Sequence, residues 1–303
     1  MASLIRPLFD GPLDIVGDVH GEIDALHALL RRLGYGPDGR HAEGRRLVFV
    51  GDLTDRGPDS PAVVELIQGL VNAGLAQCVL GNHDLNLLLG DEKFDNDWFF
   101  GRSFHHAGHV VPQVLADDVL RAQILKFFAT LPLALEGQGL RVVHACWHDA
   151  MIDAARESDN AKELCEFHAK RIAAELLGSP DVDSVEQDLR HQNENPVKVL
   201  TSGIERRAAA PRTASGKLRH EERVPWWEAY QSPDLCIFGH YSMPPGKLNR
   251  SEHAICIDYG VGKRYEERLK PDFDGRYQQR LAAYRHPEGT IVFDTDDIRA
   301  PTA

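Results

Sequence analysis

Residues 13–21 read LDIVGDVHG, a short apolar run that passes directly into a loop of acidic, histidine and glycine residues. The same junction recurs at residues 47–57, LVFVGDLTDRG, and at residues 77–84, QCVLGNHD. Short apolar runs that end in glycine are typical of buried strands. Each stretch therefore predicts a strand that leads straight into side chains capable of chemistry.

Helical periodicity follows each of these loops, so the first part of the chain repeats a strand–loop–helix unit. Helices are predicted at 23–33, at 60–72, where Ser60 suits the N-cap and Pro61 the first turn, and from Asp84 onward. The predicted strands are 13–16, 47–50, 77–80, 140–143, 235–238, 254–257 and, at the final edge, 290–293. This alternation predicts an α/β fold with crossover helices.

The length and composition are those of a globular protein. The chain has 303 residues, of which 43% are hydrophobic and 26% charged, which fits one large α/β domain with an insertion or two domains. The net charge of −12 would repel phosphate backbones, which argues against a general binder of long nucleic acids.

The cysteines and the apolar runs indicate the compartment. The five cysteines form no CxxC pair, and they are interpreted as reduced, buried thiols. The first ten residues lack the apolar core of a secretory signal, and no apolar run is long enough to span a bilayer. We therefore predict a cytoplasmic protein without a membrane partner.

Ligand sites in open α/β sheets lie beyond the carboxyl ends of the strands, so these loops can meet although they are far apart in sequence. Asp18 and His20 are two residues apart and can face one ion, while Asp52 has two oxygens and can bridge two ions. Carboxylate, amide and imidazole groups suit manganese, iron or zinc. The predicted ligands are Asp18, His20, Asp52, Asn82, His144 and His240.

Each motif alone is compatible with ordinary turn chemistry, and a single histidine such as His144 is more often structural. Together, the five strand-end sets predict a dinuclear metal site. Two ions about 3.5–4 Å apart hold a bridging hydroxide and stabilise an in-line displacement at phosphorus.

The ordered set GDVHG, GDLTDRG, GNHD and two later histidines resembles the calcineurin-like metallophosphoesterase superfamily, in particular the PPP-type phosphatases and their bacterial relatives. The motifs extend from Gly17 to His240 and so cover most of the chain. The resemblance implies a four-layer α/β/β/α sandwich as a single domain over residues 1–303, with two metals at its mouth. Residues 149–231, rich in Ala, Glu and Arg, then form a cap insertion, with a separate small domain as the alternative.

The resemblance also implies residue roles. Asp18 and His20 bind the first metal, Asp52 bridges, and the other three predicted ligands bind the second. His83 matches the proton donor to the leaving oxygen, with Asp55 as the carboxylate that orients it. Arg56 matches the arginine that clamps the phosphoryl oxygens. Arg223 is predicted as a second substrate clamp, and Asp84 as the N-cap of the next helix.

Several departures separate this chain from individual branches. Eukaryotic protein phosphatases have RGNHE where residues 80–84 read LGNHD, and His-Gly-Gly where residues 144–146 read HAC. Bacterial symmetrical diadenosine tetraphosphatases share GNHDLNLL at 81–88 but tend to have alanine at the position of Asp55. The phosphatase module of bacterial RNA-repair enzymes shares DRGPDSPAV at 55–63.

Three features beyond the motifs allow two interpretations each. A basic segment at 206–223 is either a lid over the metals or a loose loop centred on 208–220. Trp226 and Trp227 either stack on a nucleobase or pack the cap onto the core. The histidines at 105, 106 and 109 either line the pocket or lie on a surface helix. The basic residues are Arg206, Arg207, Arg212, Lys217, Arg219, His220 and Arg223.

We therefore predict a cytoplasmic, dinuclear metal-dependent phosphatase that hydrolyses phosphomonoesters by direct attack of a metal-bridging hydroxide. Manganese is the first choice of ion, with iron, zinc, nickel or cobalt as alternatives. The expected substrate is a small or locally presented phosphate ester, such as a phosphoprotein, a nucleotide or a dinucleoside polyphosphate. The alternatives are a symmetrical dinucleoside polyphosphate hydrolase and a non-catalytic binding scaffold of the same fold.

Overall fold

The computed structural model describes residues 3–179, 181–214, 217–243 and 250–297, with backbone alone at 212–214 and 217. The predicted basic side chains of Arg212 and Lys217 therefore lie outside the described part of the chain. The strands are β1 (Ile5–Pro7), β2 (Leu13–Val16), β3 (Arg46–Phe49), β4 (Ala76–Cys78), β5 (Phe104–His106), β6 (His109–Val111), β7 (Ala134–Gly137), β8 (Leu140–Val143), β9 (Glu205–Ala214), β10 (Lys217–Arg223), β11 (Leu235–Phe238), β12 (Ala254–Cys256), β13 (Ala282–His286) and β14 (Thr290–Phe293). The α-helices are α1 (Ile23–Leu33), α2 (Ser60–Asn72), α3 (Asn82–Leu89), α4 (Asp118–Phe128), α5 (Asp149–Arg156), α6 (Ala161–Leu177), α7 (Ser184–Asn193), α8 (Pro196–Ser202) and α9 (Arg264–Arg268).

Two five-stranded sheets form the centre of the molecule. Their strand orders are β14-β13-β2-β3-β4 and β1-β7-β8-β11-β12. The strands β2, β3 and β4 run parallel, as do β8, β11 and β12. Ile15 and Val48 of the first sheet lie in one buried cluster with Val142 and Ile237 of the second. The sheets therefore pack face to face through apolar side chains that leave water.

Helices cover the outer faces. Leu26 and Leu29 of α1 and Ile67 of α2 are buried in the same cluster as Phe49 of β3. Helix α5 contacts β1 of the second sheet. Its Ile152 is buried in the apolar cluster as well. This arrangement confirms the predicted four-layer α/β/β/α sandwich. None of the helices that the structure describes combines the length and apolarity needed to cross a membrane.

Most predicted element positions agree with the structure, and four local predictions are wrong. The N-cap of α2 is Asp59 and not Ser60, because the Asp59 carboxylate accepts a hydrogen bond from the Ala62 backbone N–H at 2.9 Å. Residues 208–220 are not a loose loop, because β9 and β10 pair as an antiparallel hairpin there. The histidines at 105, 106 and 109 lie on a small hairpin, not on a helix. The N-cap of α3 is Gly81, and the Asp84 carboxylate accepts a hydrogen bond from the Gly81 backbone at 3.2 Å.

The segment 149–231 holds α5 to α8 and the β9–β10 hairpin. Trp226 and Trp227 at its end are each 7% exposed. Their rings pack on Phe238 of β11 with centroid distances of 4.8 and 5.5 Å. These tryptophans are therefore part of the core and do not form a surface for a nucleobase.

Candidate active site

The loops after the parallel strands meet in a cavity of about 470 Å³. Its lining includes Asp18 after β2, Asp52 after β3, and Asn82 and His83 at the start of α3. His240, after β11, lines the same cavity next to Asn82. Parallel strands bring their carboxyl ends to one edge, so residues far apart in sequence become neighbours.

Asp52 lies at the centre of the predicted ligand set. Its Oδ2 is 3.7 Å from Nε2 of His20 and 3.4 Å from Nε2 of His144. The Oδ1 atom of Asn82 is 3.2 Å from Nε2 of His144 and 2.7 Å from Nδ1 of His240. His144 is fully buried behind Asp52. Asp52 thus occupies the position between two donor groups that a bridging carboxylate requires.

Two of the histidines turn Nε2 toward this centre, where Nη1 of Arg56 lies 3.2 Å from Nε2 of His20. The Nδ1–H of His20 donates to the Thr54 carbonyl at 2.9 Å, and that of His144 donates to the Val50 carbonyl at 2.7 Å. With the proton on Nδ1, a neutral imidazole carries its lone pair on Nε2, which is the form that binds a metal. Burial lowers the pKa of His144, but Asp52 outweighs burial and raises this pKa to about 9, so His144 must release a proton to bind a metal. Nε2 of His240 is buried and has no hydrogen-bond partner among the described residues.

Asp18 is connected to the other predicted ligands by a hydrogen bond from the backbone of the loop after β11. Its Oδ2 accepts a hydrogen bond from the His240 N–H at 3.1 Å. A β-carbon at Gly239 would collide with the Asp18 carboxylate. Glycine at this position is therefore required for Asp18 and His240 to approach each other.

Backbone strain is concentrated at these residues. Six non-glycine residues in the described chain have positive φ, and five of them belong to the predicted site. Those five are His20, Asp52, Asp55, Arg56 and His240. Such backbone costs on the order of 1–3 kcal/mol per residue and persists where the surroundings impose it. The fold thus holds these side chains in position at a cost in stability.

The electrostatics of the cavity favour a bound cation. Burial and the neighbouring Asp258 carboxylate raise the pKa of Asp18 well above its usual value. Burial and the guanidinium of Arg56 hold the pKa of His20 well below its usual range, and burial with Arg223 does the same for the pKa of His240. Buried carboxylates beside neutral imidazoles are a donor set that divalent ions suit. The residues present therefore fit a metal centre.

A second group of side chains lies beside this set. The Nδ1–H of His83 donates to Asp55 Oδ2 at 2.6 Å, and Nη2 of Arg56 donates to Nε2 of His83 at 2.9 Å. The rings of His83 and His20 are 4.8 Å apart. Burial and Arg56 lower the pKa of His83, but Asp95, Asp52 and Asp55 outweigh them and raise it above its usual value. In this arrangement Nε2 accepts a hydrogen bond from Arg56 and is unprotonated, while the neighbouring carboxylates favour the protonated form that a proton donor requires.

Sequence reasoning missed two buried acids in this region. Asp95 accepts a hydrogen bond from Nε of Arg56 at 2.8 Å, and its Oδ2 is 3.9 Å from Nδ1 of His83. Asp258 lines the cavity and directly follows the apolar run of β12. The strand-end rule that found the other motifs could have found Asp258. Asp95 gave no such signal, because it stands in a loop inside an aromatic run.

Of the remaining predicted residues that the structure describes, Arg223 lines the cavity, whereas Asp55 and the histidines at 105, 106 and 109 do not. Nη1 of Arg223 donates to the His240 carbonyl at 3.1 Å. Asp55 lies fully buried beneath His83.

The sequence pattern of the calcineurin-like phosphoesterase family matches residues 11–243. The chain belongs to this family. Family membership confirms the predicted calcineurin-like metallophosphoesterase superfamily. Calcineurin-like phosphoesterases use a dinuclear divalent metal centre, and the His and Asp clusters of this member provide suitable donors.

Two curated relatives of this calcineurin-like phosphoesterase carry the same description, bis(5'-nucleosyl)-tetraphosphatase PrpE [asymmetrical]. The protein from Oceanobacillus iheyensis is 49% identical over 74 residues, which cover 23% of this chain and 30% of that protein. The protein from Anoxybacillus flavithermus is 44% identical over 145 residues, or 44% of this chain and 56% of that protein. The similarity thus spans about a third to just over half of these relatives.

A solved structure shares the fold over nearly the whole chain. It is a serine/threonine protein phosphatase from Saccharomyces cerevisiae with similarity to human phosphatase PP5. The alignment has a TM-score of 0.54 and 13% identity, and it covers 99% of this chain and 85% of that one.

Proposed function

We propose that this chain is a phosphatase that hydrolyses phosphomonoesters with two divalent ions, manganese first among them. The observation that carries the proposal is the His83–Asp55 hydrogen bond of 2.6 Å beside the donor set in one cavity. A proton donor next to a set of metal ligands supports hydrolysis more than mere binding. The proposed metal ligands are Asp18, His20, Asp52, Asn82, His144 and His240.

The bound ions would supply Lewis acidity and a nucleophile at neutral pH. The chain's own residues have three further roles in the proposal. Arg56 binds the phosphoryl oxygens with its planar fork, and Arg223 binds them from the opposite wall. His83 protonates the leaving oxygen at Nε2 while Asp55 stabilises the imidazolium through Nδ1. Residues 149–231 act as a cap within a single domain.

The first experiment is hydrolysis of p-nitrophenyl phosphate by metal-free protein reloaded with Mn²⁺, Co²⁺, Ni²⁺, Zn²⁺ or Fe²⁺. We expect turnover with at least Mn²⁺ and a loss of most of it in Asp52→Asn. Asp38→Asn changes a surface carboxylate that pairs with Arg40; it is the control and should retain activity. Wild-type protein that is inactive with every ion would favour the binding-scaffold alternative.

A second candidate function is hydrolysis of dinucleoside polyphosphates, because both relatives described above are bis(5'-nucleosyl)-tetraphosphatases. These two relatives are described as asymmetrical tetraphosphatases. The motif GNHDLNLL at 81–88 instead resembles the symmetrical enzymes. Product analysis separates the modes, since diadenosine tetraphosphate yields two ADP on symmetrical cleavage and AMP with ATP on asymmetrical cleavage. A ranking by kcat/KM against a phosphoserine peptide and mononucleotides then separates the two candidate functions.

The proposed location is the cytoplasm. It is supported by the five cysteines, all free and buried, since a reducing compartment preserves such thiols. The proposed substrates are small or locally presented phosphate esters, and long nucleic acids are not among them.

A further inference from the structure

One wall of the cavity is a charged face of the β9–β10 hairpin. Arg219, Glu221 and Arg223 are alternate residues of β10, and all three line the cavity. Alternate residues of a strand share one face. Glu205, which pairs with Arg223 across the hairpin, lines the cavity as well.

Two other arginines of this hairpin, Arg206 and Arg207, are already paired within the protein. Nε of Arg206 lies 2.7 Å from Glu222 Oε1, its cross-strand neighbour. Nη2 of Arg207 lies 2.8 Å from Asp183 Oδ2 at the start of α7. Arg219, by contrast, forms no ion pair with the residues that the structure describes. Its charge is therefore available to a ligand in the cavity.

Lys263 contributes a second cation from a different element, the turn that packs on His20. It ends the short 3₁₀ turn Val261–Lys263, which follows β12. A β-carbon at Gly262 would collide with the ring of His20, so this turn packs directly on the donor set. Lys263 lines the cavity and has no ion-pair partner within the described ranges.

The two walls flank the donor set from different sides. The hairpin wall adjoins His240, because Arg223 contacts the His240 carbonyl, and the Lys263 wall adjoins His20. The cavity volume of about 470 Å³ falls within the roughly 300–1,000 Å³ typical of pockets for whole small molecules. There is thus room for more than the reacting phosphoryl group.

We infer that Arg219 and Lys263 form anion subsites on either side of the reacting phosphoryl group, which bind further phosphates of a substrate with a phosphate chain. The inference rests on the proposed function, because it places the reacting group at the donor set. Glu221 lies on the same face as Arg219 and opposes the binding of anions. It limits how many negative charges the hairpin wall accepts.

The test compares two inhibitors of p-nitrophenyl phosphate hydrolysis, orthophosphate and tripolyphosphate, in the Mn²⁺-loaded protein. Orthophosphate needs the central site alone, whereas tripolyphosphate reaches the flanking subsites. In Arg219→Gln/Lys263→Gln, we expect the inhibition constant of tripolyphosphate to rise about tenfold more than that of orthophosphate. Glu221→Gln changes charge in the opposite direction and should tighten tripolyphosphate binding about two- to threefold.

Arg206→Gln is the matched control, because it removes the same charge from the other face of the hairpin. Arg206→Gln should leave the inhibition constants of orthophosphate and tripolyphosphate unchanged. Tripolyphosphate can also remove Mn²⁺ from the protein, but this loss would affect every variant alike. Equal changes for the two inhibitors, or the same change in Arg206→Gln, would overturn the inference. Calorimetric titration with tripolyphosphate tests the subsites independently of turnover. An inactive wild type that shows the variant-dependent binding would refute the proposed function and support the subsites.

Discussion

Nδ1 of His83 lies 2.6 Å from Oδ2 of Asp55, and the other oxygen of that carboxylate accepts a hydrogen bond from Nε1 of Trp98 at 2.7 Å. Both oxygens of Asp55 are thus engaged. Burial raises the pKa of Asp55 to about 6 in spite of His83, which lowers it. A carboxylate with both oxygens engaged fixes the orientation of the imidazole and directs Nε2 toward the Arg56 guanidinium at the cavity.

His83→Ala should affect substrates according to their leaving group. We expect a loss of roughly 10²–10⁴ in kcat for an alkyl phosphate, because an alkoxide leaves poorly without a proton donor. The loss for p-nitrophenyl phosphate should be much smaller, since p-nitrophenolate needs little protonation. Steady-state kinetics on both substrates check this. Losses of equal size would show that His83 is not the acid.

Trp98→Phe keeps the buried ring but removes the hydrogen bond to Asp55. One buried carboxylate oxygen then lacks a donor, which should lower the free energy of unfolding by about 1–3 kcal/mol. Urea denaturation measures the change. Trp147→Phe is the control, because its Nε1 donates to the partly exposed Asp149. A similar loss in both variants would point to ring packing as the cause.

Asp95 should act as a positioning residue for Arg56. Its carboxylate holds Nε of Arg56 at 2.8 Å, so Asp95→Ala frees a guanidinium that we propose binds the phosphoryl group. We expect KM for p-nitrophenyl phosphate to rise about tenfold, with little further change when Asp95→Ala is added to Arg56→Ala. Asp91→Ala, an exposed acid of the same loop paired with Lys93, should leave KM unchanged. Additive effects in the double variant would contradict the positioning role.

Metal binding should stabilise the fold by mass action. Mn²⁺ at one hundred times its dissociation constant is expected to add about 2.7 kcal/mol to the free energy of unfolding. Asp52→Asn removes the bridging carboxylate and should abolish most of this gain, while Asp38→Asn should retain it. Thermal denaturation with and without EDTA provides the measurement. A gain that survives in Asp52→Asn would place the ions elsewhere.

Asp14 anchors a buried ion network away from the cavity. Its carboxylate lies 2.9 Å from Nε of Arg45 and 2.9 Å from Nε of Arg285, and it accepts a hydrogen bond from Tyr35 at 2.9 Å. Asp14→Ala removes the buried carboxylate from both guanidinium groups, although Arg45 keeps Glu288 at 2.7 Å, and should cost about 3–5 kcal/mol. Denaturation by urea tests this. Asp38→Ala breaks a solvent-exposed pair and should change stability little.

The sequence was most informative where a buried strand and a functional loop adjoin. Strand β8 has the predicted bounds because its apolar run begins directly after Gly139, which is a local signal. Helix α2 has the predicted bounds because its capped amphipathic segment is also a local signal. The β9–β10 hairpin carried no such signal. Its Arg, Glu and Ala residues lack alternating hydrophobicity, and it forms through cross-strand pairs such as Arg206 with Glu222.

Sequence alone determined the family, the four-layer fold and the residues proposed as metal ligands, because each strand-end motif places a ligand where parallel strands must converge. Only the tertiary structure decided how those ligands are supported. The Asp95–Arg56 contact and the placement of Asp258 beside Asp18 join segments that no local pattern relates. The same holds for Arg219 and Lys263, which line one cavity because a hairpin and a turn from distant parts of the chain pack around the sheet edge.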